Sequence, residues 1–272
     1  MPTKRVMNGQ TALHVQIDGP QDADAPTLVF GNSLGSNLHL WDAVIEHLPA
    51  DLRIIRYDMR GHGRSDVPDG PYTMGALIKD AEAVCDAAKV RDCMFVGLSV
   101  GGLVAQGLAV KRPDQVRAIV LSNTAAKIGN AKMWDDRIAA VKNDGLAMMA
   151  DGIMQRWFGR DFYATPAMVP WRDMLVATSA TGYIGTCAAI AGTDFYTPTS
   201  GLRLPTLGIA GSEDKTTPPD MVRETTDLVP GSQFALMRRV GHLPCVDNPA
   251  GYAQILNDFM TRTGHMIRDD SY

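Results

Sequence analysis

The chain has 272 residues, 45% of them hydrophobic, enough for a sizeable globular domain whose sheet is covered on both faces. Its 26 basic and 30 acidic side chains are well mixed, give a formal charge of −4 and form no Lys/Arg block, which argues against a nucleic-acid or anionic-membrane surface. Met1–Arg5 is not followed by the apolar run of a signal peptide, and no stretch approaches a membrane span. The four cysteines, Cys85, Cys93, Cys187 and Cys245, lack CxxC or zinc-ligand spacing, so a cytoplasmic protein with reduced, buried thiols and no metal is expected.

In chain order, Arg5–Met7 and Leu13–Ile17 flank Asn8-Gly9, a dipeptide suited to a tight hairpin turn. Strands are then predicted at Thr27–Gly31, Leu52–Tyr57, Cys93–Gly97, Ala118–Ser122, Thr206–Ala210 and Gln233–Met237. Most are continuous apolar runs, as expected where helices cover both faces of a parallel sheet. Helical patterns lie at Leu38–Leu48, Met74–Ala88, Gly101–Lys111, Pro219–Leu228 and Pro249–Thr261. The alternation predicts an α/β fold with a mostly parallel, doubly wound sheet, the hairpin adding antiparallel strands at one edge. From Ala125 to about residue 195 the rhythm breaks into helical patterns that hold three of the four tryptophans, Trp134, Trp157 and Trp171. This segment is expected to be a helical cap (125–195) inserted into a core made of 1–124 and 196–272, and Thr263–Tyr272 to be a polar tail.

Chemistry concentrates at strand ends. Cys93–Gly102 reads CMFVGLSVGG, a G-x-S-x-G sequence between a buried strand and an apolar helix. In that context the serine, Ser99, sits on a sharp turn with the following helix N-terminus aimed at developing negative charge. The Val100 amide, next in the chain, is the first expected oxyanion donor. A serine hydroxyl needs a base and the base an orienting acid, which in this arrangement follow in the order serine, acid, histidine. Of the six histidines, only His242 lies in a short loop after a predicted strand downstream of Ser99, in Val240-Gly241-His242-Leu243-Pro244. The acid falls in the loop after TLGIA, where Asp214 fits G-x-x-D-x-x-x-P and Glu213 is the competitor. The earlier strand AIVLS ends in Ser122-Asn123, which offers no acid. Asp58–Ser65 reads D-x-R-G-x-G-x-S, a glycine-shaped turn expected to be scaffold, with His62 as a loop residue.

Together these motifs resemble the α/β-hydrolase superfamily along nearly the whole chain, with a helical lid insertion. Within it, Gly31–Gly35 (GNSLG), Arg56–Gly63, Gly97–Ser99 and Ser122–Ile128 (SNTAAKI), followed by Trp134 and Arg137, resemble 3-oxoadipate enol-lactonases of aromatic catabolism. Val100 stands where methionine is common, and Gly31-Asn32 where most relatives carry His-Gly. The resemblance implies a Ser99–His242–Asp214 triad, a second oxyanion donor at the Ser33 amide, and hydrolysis of a small enol-lactone through an acyl-enzyme with no cofactor. A carboxylate-bearing substrate in a lidded pocket calls for a fixed cation. Arg137 is the expected anchor, with Trp134 lining the site and Lys127 and Arg156 as alternatives. Another hydrolase of the same fold (carboxylesterase, carbon–carbon bond hydrolase or perhydrolase) and a triad-bearing ligand receptor are the competing readings.

Overall fold

The computed structural model describes residues 3–266, so the last part of the expected tail, 267–272, lies outside the described residues. Eight strands, β1 (Thr3–Asn8), β2 (Thr11–Asp18), β3 (Thr27–Gly31), β4 (Arg53–Tyr57), β5 (Cys93–Leu98), β6 (Val116–Ser122), β7 (Thr206–Gly211) and β8 (Gln233–Met237), form one sheet. Their order is β1-β2-β4-β3-β5-β6-β7-β8. β1 and β2 pair antiparallel, β2 pairs antiparallel with β4, and every pairing from β4 to β8 is parallel. The central runs TLVFG and CMFVGL are buried at every position, which is why they show no polar alternation.

The chain leaves β3 toward β4 on one side and leaves β5 toward β6 on the other. A crevice therefore opens where β3 and β5 lie side by side, at their C-terminal ends, the place where open α/β sheets bind ligands.

Two local expectations shift. Asn8 pairs with Thr11, so the hairpin turn is Gly9-Gln10, with the positive φ at Gly9 (+60°). Asn8 instead ends the strand and donates its side-chain amide to Asp80 at 2.7 Å. The helix expected over Leu38–Leu48 divides into a single 3₁₀ turn, Leu38–Trp41, and α1 (Asp42–Ile45). The buried Arg56 guanidinium takes both the Leu38 carbonyl (3.3 Å) and the Asp42 carboxylate, which bends the segment around it.

α2 (Met74–Ala87) and α3 (Val100–Lys111) flank the sheet. Between β6 and β7 come α4 (Ala131–Trp157), α5 (Arg160–Tyr163), α6 (Val169–Val176), α7 (Ala180–Ala191) and α8 (Tyr196–Ser200). No strand joins the sheet from this stretch. α4 is broken at Gly145 (φ 77°, ψ 167°) into two arms, and α8 returns to the sheet helices through a 2.7 Å bond from Thr199 to Gln106. α9 (Pro219–Asp227), α10 (Pro244–Asp247) and α11 (Pro249–Arg262) complete the chain. No single described helix is long and apolar enough to cross a membrane. The four cysteines are buried free thiols.

Backbone meets backbone without room for a side chain where α3 starts. A Cβ at Gly97 would lie 2.2 Å from the Gly101 carbonyl oxygen, and one at Gly101 would lie 2.3 Å from that of Gly31. Because the opposing atoms are backbone, they cannot rotate away. Gly101→Ala is expected to lower stability by about 1–3 kcal/mol, the ordinary range for overpacking, read as a drop in the urea midpoint; an unchanged midpoint would show that the helix start can move aside.

Candidate active site

Ser99 lies between β5 and α3 with φ 58° and ψ −118°, a left-handed backbone on a residue that carries a side chain. Such a conformation costs about 1–3 kcal/mol and persists only where the surroundings enforce it. Here they do. The Ser99 amide donates to Ser122 O (3.0 Å), the Ser99 carbonyl accepts from Thr124 Oγ1 (2.6 Å), and the glycines at 97, 101 and 102 remove what would clash. The helix begins at Val100, one residue nearer the serine than the sequence suggested. The Val100 amide is therefore one of the unsatisfied first-turn donors.

The Gly31–Gly35 loop follows β3 alongside it. Gly101 N donates to Asn32 O (3.1 Å), tying this loop to the start of α3. Asn32 is fully buried and satisfied at both ends, donating to Tyr57 O (2.7 Å) and accepting from Trp41 Nε1 (2.8 Å). It braces the loop in a sequence that departs from the commoner His-Gly. His62, expected to be a bystander, is buried and accepts the Gly35 amide at Nε2 (3.0 Å) while Nδ1 faces Arg60 O (3.2 Å). Burial pushes its pKa down, which keeps the Nε2 lone pair available. Among the described residues neither the Ser33 nor the Val100 amide has a hydrogen-bond acceptor, and Ser33 lines the same cavity as Ser99.

His242 and Asp214 meet in the loops after β8 and β7. His242 Nδ1 lies 2.8 Å from Asp214 Oδ2, with both side chains almost wholly buried. Asp214 also accepts from Asn123 Nδ2 (2.8 Å), the Thr216 amide (2.7 Å), the Thr217 amide (3.1 Å) and Thr217 Oγ1 (2.7 Å). Burial alone would raise this carboxyl's pKa, but the facing His242 and the hydrogen bonds from His242, Asn123 and Thr216 outweigh it and hold the pKa below the usual value. Glu213, the competing acid, turns away and binds the Arg160 amide (2.9 Å) and Arg160 Nε (2.8 Å).

Asn123 and Thr217 escaped the sequence reading. In the sequence Asn123 reads only as the absence of an acid, although its left-handed φ of 43° at a strand end accompanies the bond from its amide to Asp214.

Ser99, His242, Ser33, Trp134 and Arg137 line one narrow cavity of about 50 Å³ between the sheet edge and the α4–α7 helices. That is room for roughly three to five waters at ~10–15 Å³ each. Trp134 presents its ring while its Nε1 is taken by Ile128 O (2.7 Å). Arg137 is held by Tyr183 Oη (3.0 Å), whose pKa burial pushes up to about 12 and which therefore stays a neutral phenol.

Arg156, on the other arm of α4, lines the cavity too, and neither arginine has a carboxylate partner among the described residues. Lys127 does not reach the cavity and pairs with Asp194 at 3.1 Å. Of the cap tryptophans, Trp157 also lines the cavity, whereas Trp171 packs near Phe158 (centroids 6.5 Å) and faces a separate groove. Among the described residues no cluster of three His, Cys, Asp or Glu side chains could hold a metal ion.

A sheet of this order with a serine at this turn defines the α/β-hydrolase class. The alpha/beta hydrolase fold family model matches residues 26–249, and the chain belongs to that family; it is a hydrolase. It is similar to 3-oxoadipate enol-lactonase 2 of Acinetobacter baylyi, 38% identical over 197 residues (72% of this chain, 74% of that protein). It is also 33% identical over 250 residues to 3-oxoadipate enol-lactonase 1 of the same organism, covering 91% of this chain and 92% of the relative. The solved enol-lactonase from Burkholderia xenovorans LB400 is 33% identical, with a TM-score of 0.90 covering 96% of this chain and all of its own.

Because Asp214 is depressed in the folded state, it contributes stability above the ordinary carboxylate range and loses it as pH falls through its lowered pKa. Asn123→Gly, which keeps the left-handed backbone and removes the amide, should raise the Asp214 carboxyl titration seen by ¹³C NMR. The lost charged hydrogen bond should cost about 1.5–3 kcal/mol at pH 7; an unmoved titration would show that Asn123 does not influence the carboxylate.

Proposed function

We propose that the protein opens 3-oxoadipate enol-lactone, or a closely similar small enol-lactone bearing a carboxylate arm, to the 3-oxo diacid. The carrying observation is that two arginines without acidic partners, Arg137 and Arg156, line the cavity that also holds Ser99 and His242. Arg137 is partly buried and Arg156 exposed, each without an acidic partner among the described residues, and the guanidinium fork suits the carboxylate of an incoming substrate. The narrowness of the cavity favours a compact ring over a long acyl chain.

In this reading Ser99 is the nucleophile, His242 the general base and Asp214 the group that fixes the imidazole tautomer through Nδ1. His242 takes the Ser99 proton as Oγ bonds to the lactone carbonyl carbon, and the Ser33 and Val100 amides receive the tetrahedral oxyanion. Collapse breaks the ring C–O bond; the leaving enol oxygen takes the proton from His242 and the enol tautomerises to a ketone. Water, giving its proton to His242, then attacks the acyl-enzyme, and the proton returns to Ser99 as the second carboxylate departs. Arg137 anchors the substrate's own carboxylate, with Arg156 beside it and Trp134 as an apolar wall. No cofactor enters. The buried free thiols fit a cytoplasmic setting.

A substrate panel tests this reading. Ser99→Ala should abolish turnover of every substrate, and a fluorophosphonate should label the wild type at Ser99 alone. Arg137→Ala should raise KM for the carboxylated lactone by about tenfold or more, the loss expected for a charged hydrogen bond, and leave neutral p-nitrophenyl esters within about twofold. Simple esters cleaved orders of magnitude faster than the lactone, or equal losses on both substrates, would overturn the substrate assignment.

A further inference from the structure

Outside the triad, one carboxylate joins the histidine loop to the helices above it. Asp247, at the end of α10, accepts two backbone amides on a single oxygen: Gly241 N at 2.5 Å and Gly159 N at 2.9 Å. Gly241 directly precedes His242, and Gly159 opens α5 just after the long cap helix α4. The two segments touch backbone to backbone. A Cβ at Gly241 would lie 2.6 Å from Phe158 C and 2.7 Å from Trp157 O, and Leu243 N donates to Trp157 O at 2.9 Å. His242 is thus bracketed by two bonds to the end of α4, and Asp247 makes the charged one.

Its other oxygen, Oδ1, is buried with no hydrogen-bond partner. Burial pushes this carboxyl up to about 6, the two amides oppose the shift, and Glu213 and Asp161 add to it. Those two acids are partly neutralised by Arg160 (2.8 Å) and Arg239 (2.6 Å). Cys245, on the same short helix, is a neutral buried thiol with its pKa raised, and the loop from β8 to α10 also carries Arg238, Arg239 and His242.

A carboxyl raised in the folded state takes up a proton more readily than in the unfolded chain, so its contribution to stability falls as pH rises from about 4 to 6. For stability alone a neutral side chain is the better occupant. A short charge-assisted bond to the amide beside the base is what the charge adds.

We infer that Asp247 is a positioning residue: its ionised carboxylate locks the Gly241–His242 backbone to the end of the cap helix and so holds the imidazole in register with Ser99. The inference rests on the Ser99–His242–Asp214 reading. It makes activity depend on a second ionisation besides that of the imidazole, and it couples the seating of the cap to the placement of the base.

Asp247→Asn, which imitates the neutral acid in the same shape, separates positioning from folding. At pH 7.5 its melting temperature should equal or exceed the wild type's. Its kcat should fall about 10- to 100-fold, as for a small misplacement of a reacting group, with KM within about twofold. In the wild type the acid limb of log kcat against pH should approach a slope of two, and in Asp247→Asn a slope of one. Asp247→Glu, which keeps the charge and displaces it, should lower kcat yet retain the steeper limb. An unchanged kcat, a variant limb as steep as the wild type's, or a lowered melting temperature with kcat intact would each overturn the inference. The downfield proton on His242 Nδ1 supplies a readout independent of turnover. If Ser99→Ala remained active, the triad reading would fall, and a His242 signal unmoved by Asp247→Asn would overturn the positioning role separately.

Discussion

A single added carbon at Gly97 or Gly101 would lie within 2.3 Å of a backbone oxygen, and the absence of that carbon is the constraint on which the site rests. It lets the first turn of α3 press against the ends of β3 and β5, with Gly101 N on Asn32 O. The same contact accompanies the left-handed conformation of Ser99 and leaves the Val100 amide, next in the chain, without an acceptor among the described residues. Strain at one residue is balanced by bonds from Ser122 and Thr124 and by glycines that have nothing to clash with. The proposed nucleophile and oxyanion donors are therefore one backbone arrangement seen from several sides, which is why the loop after β3 matters as much as the serine.

Around that arrangement the polar groups are satisfied in layers. Asp214 is surrounded by donors from three loops, Asn123, Thr216–Thr217 and His242, so its charge is stabilised without solvent. Asn32 and His62 do the same for the loop that carries Ser33. These second-layer bonds convert flexible loops at a sheet edge into a fixed frame.

The sheet was legible in the sequence because its strands are unbroken apolar runs separated by helices, a pattern that a covered parallel sheet requires. The serine turn was legible because a glycine-flanked serine between strand and helix satisfies a steric demand that few sequences meet. What escaped were residues whose role depends on backbone conformation and long-range contact. Asn123 looks like an ordinary strand-end amide until its positive φ is known, and nothing local to Thr217 or Tyr183 announces Asp214 or Arg137. The hairpin turn slipped by one residue because Asn8 is drawn into the strand by Asp80, a partner far along the chain. Arg156 and Arg137 are nineteen positions apart, and only the break at Gly145 folds both arms of α4 over one cavity.

The cap enters the chain between β6 and β7, neighbours in the sheet that pair directly from Ile119–Thr206 to Ser122–Ile209. The insertion adds no strand between them. On the proposed function, recognition and chemistry lie in separable stretches of sequence: grafting a different set of helices between the same two strands would give the proposed reaction centre a new clientele, provided the graft preserved the backbone seams at Gly159 and Gly182, where the inserted helices touch the sheet loops without side chains.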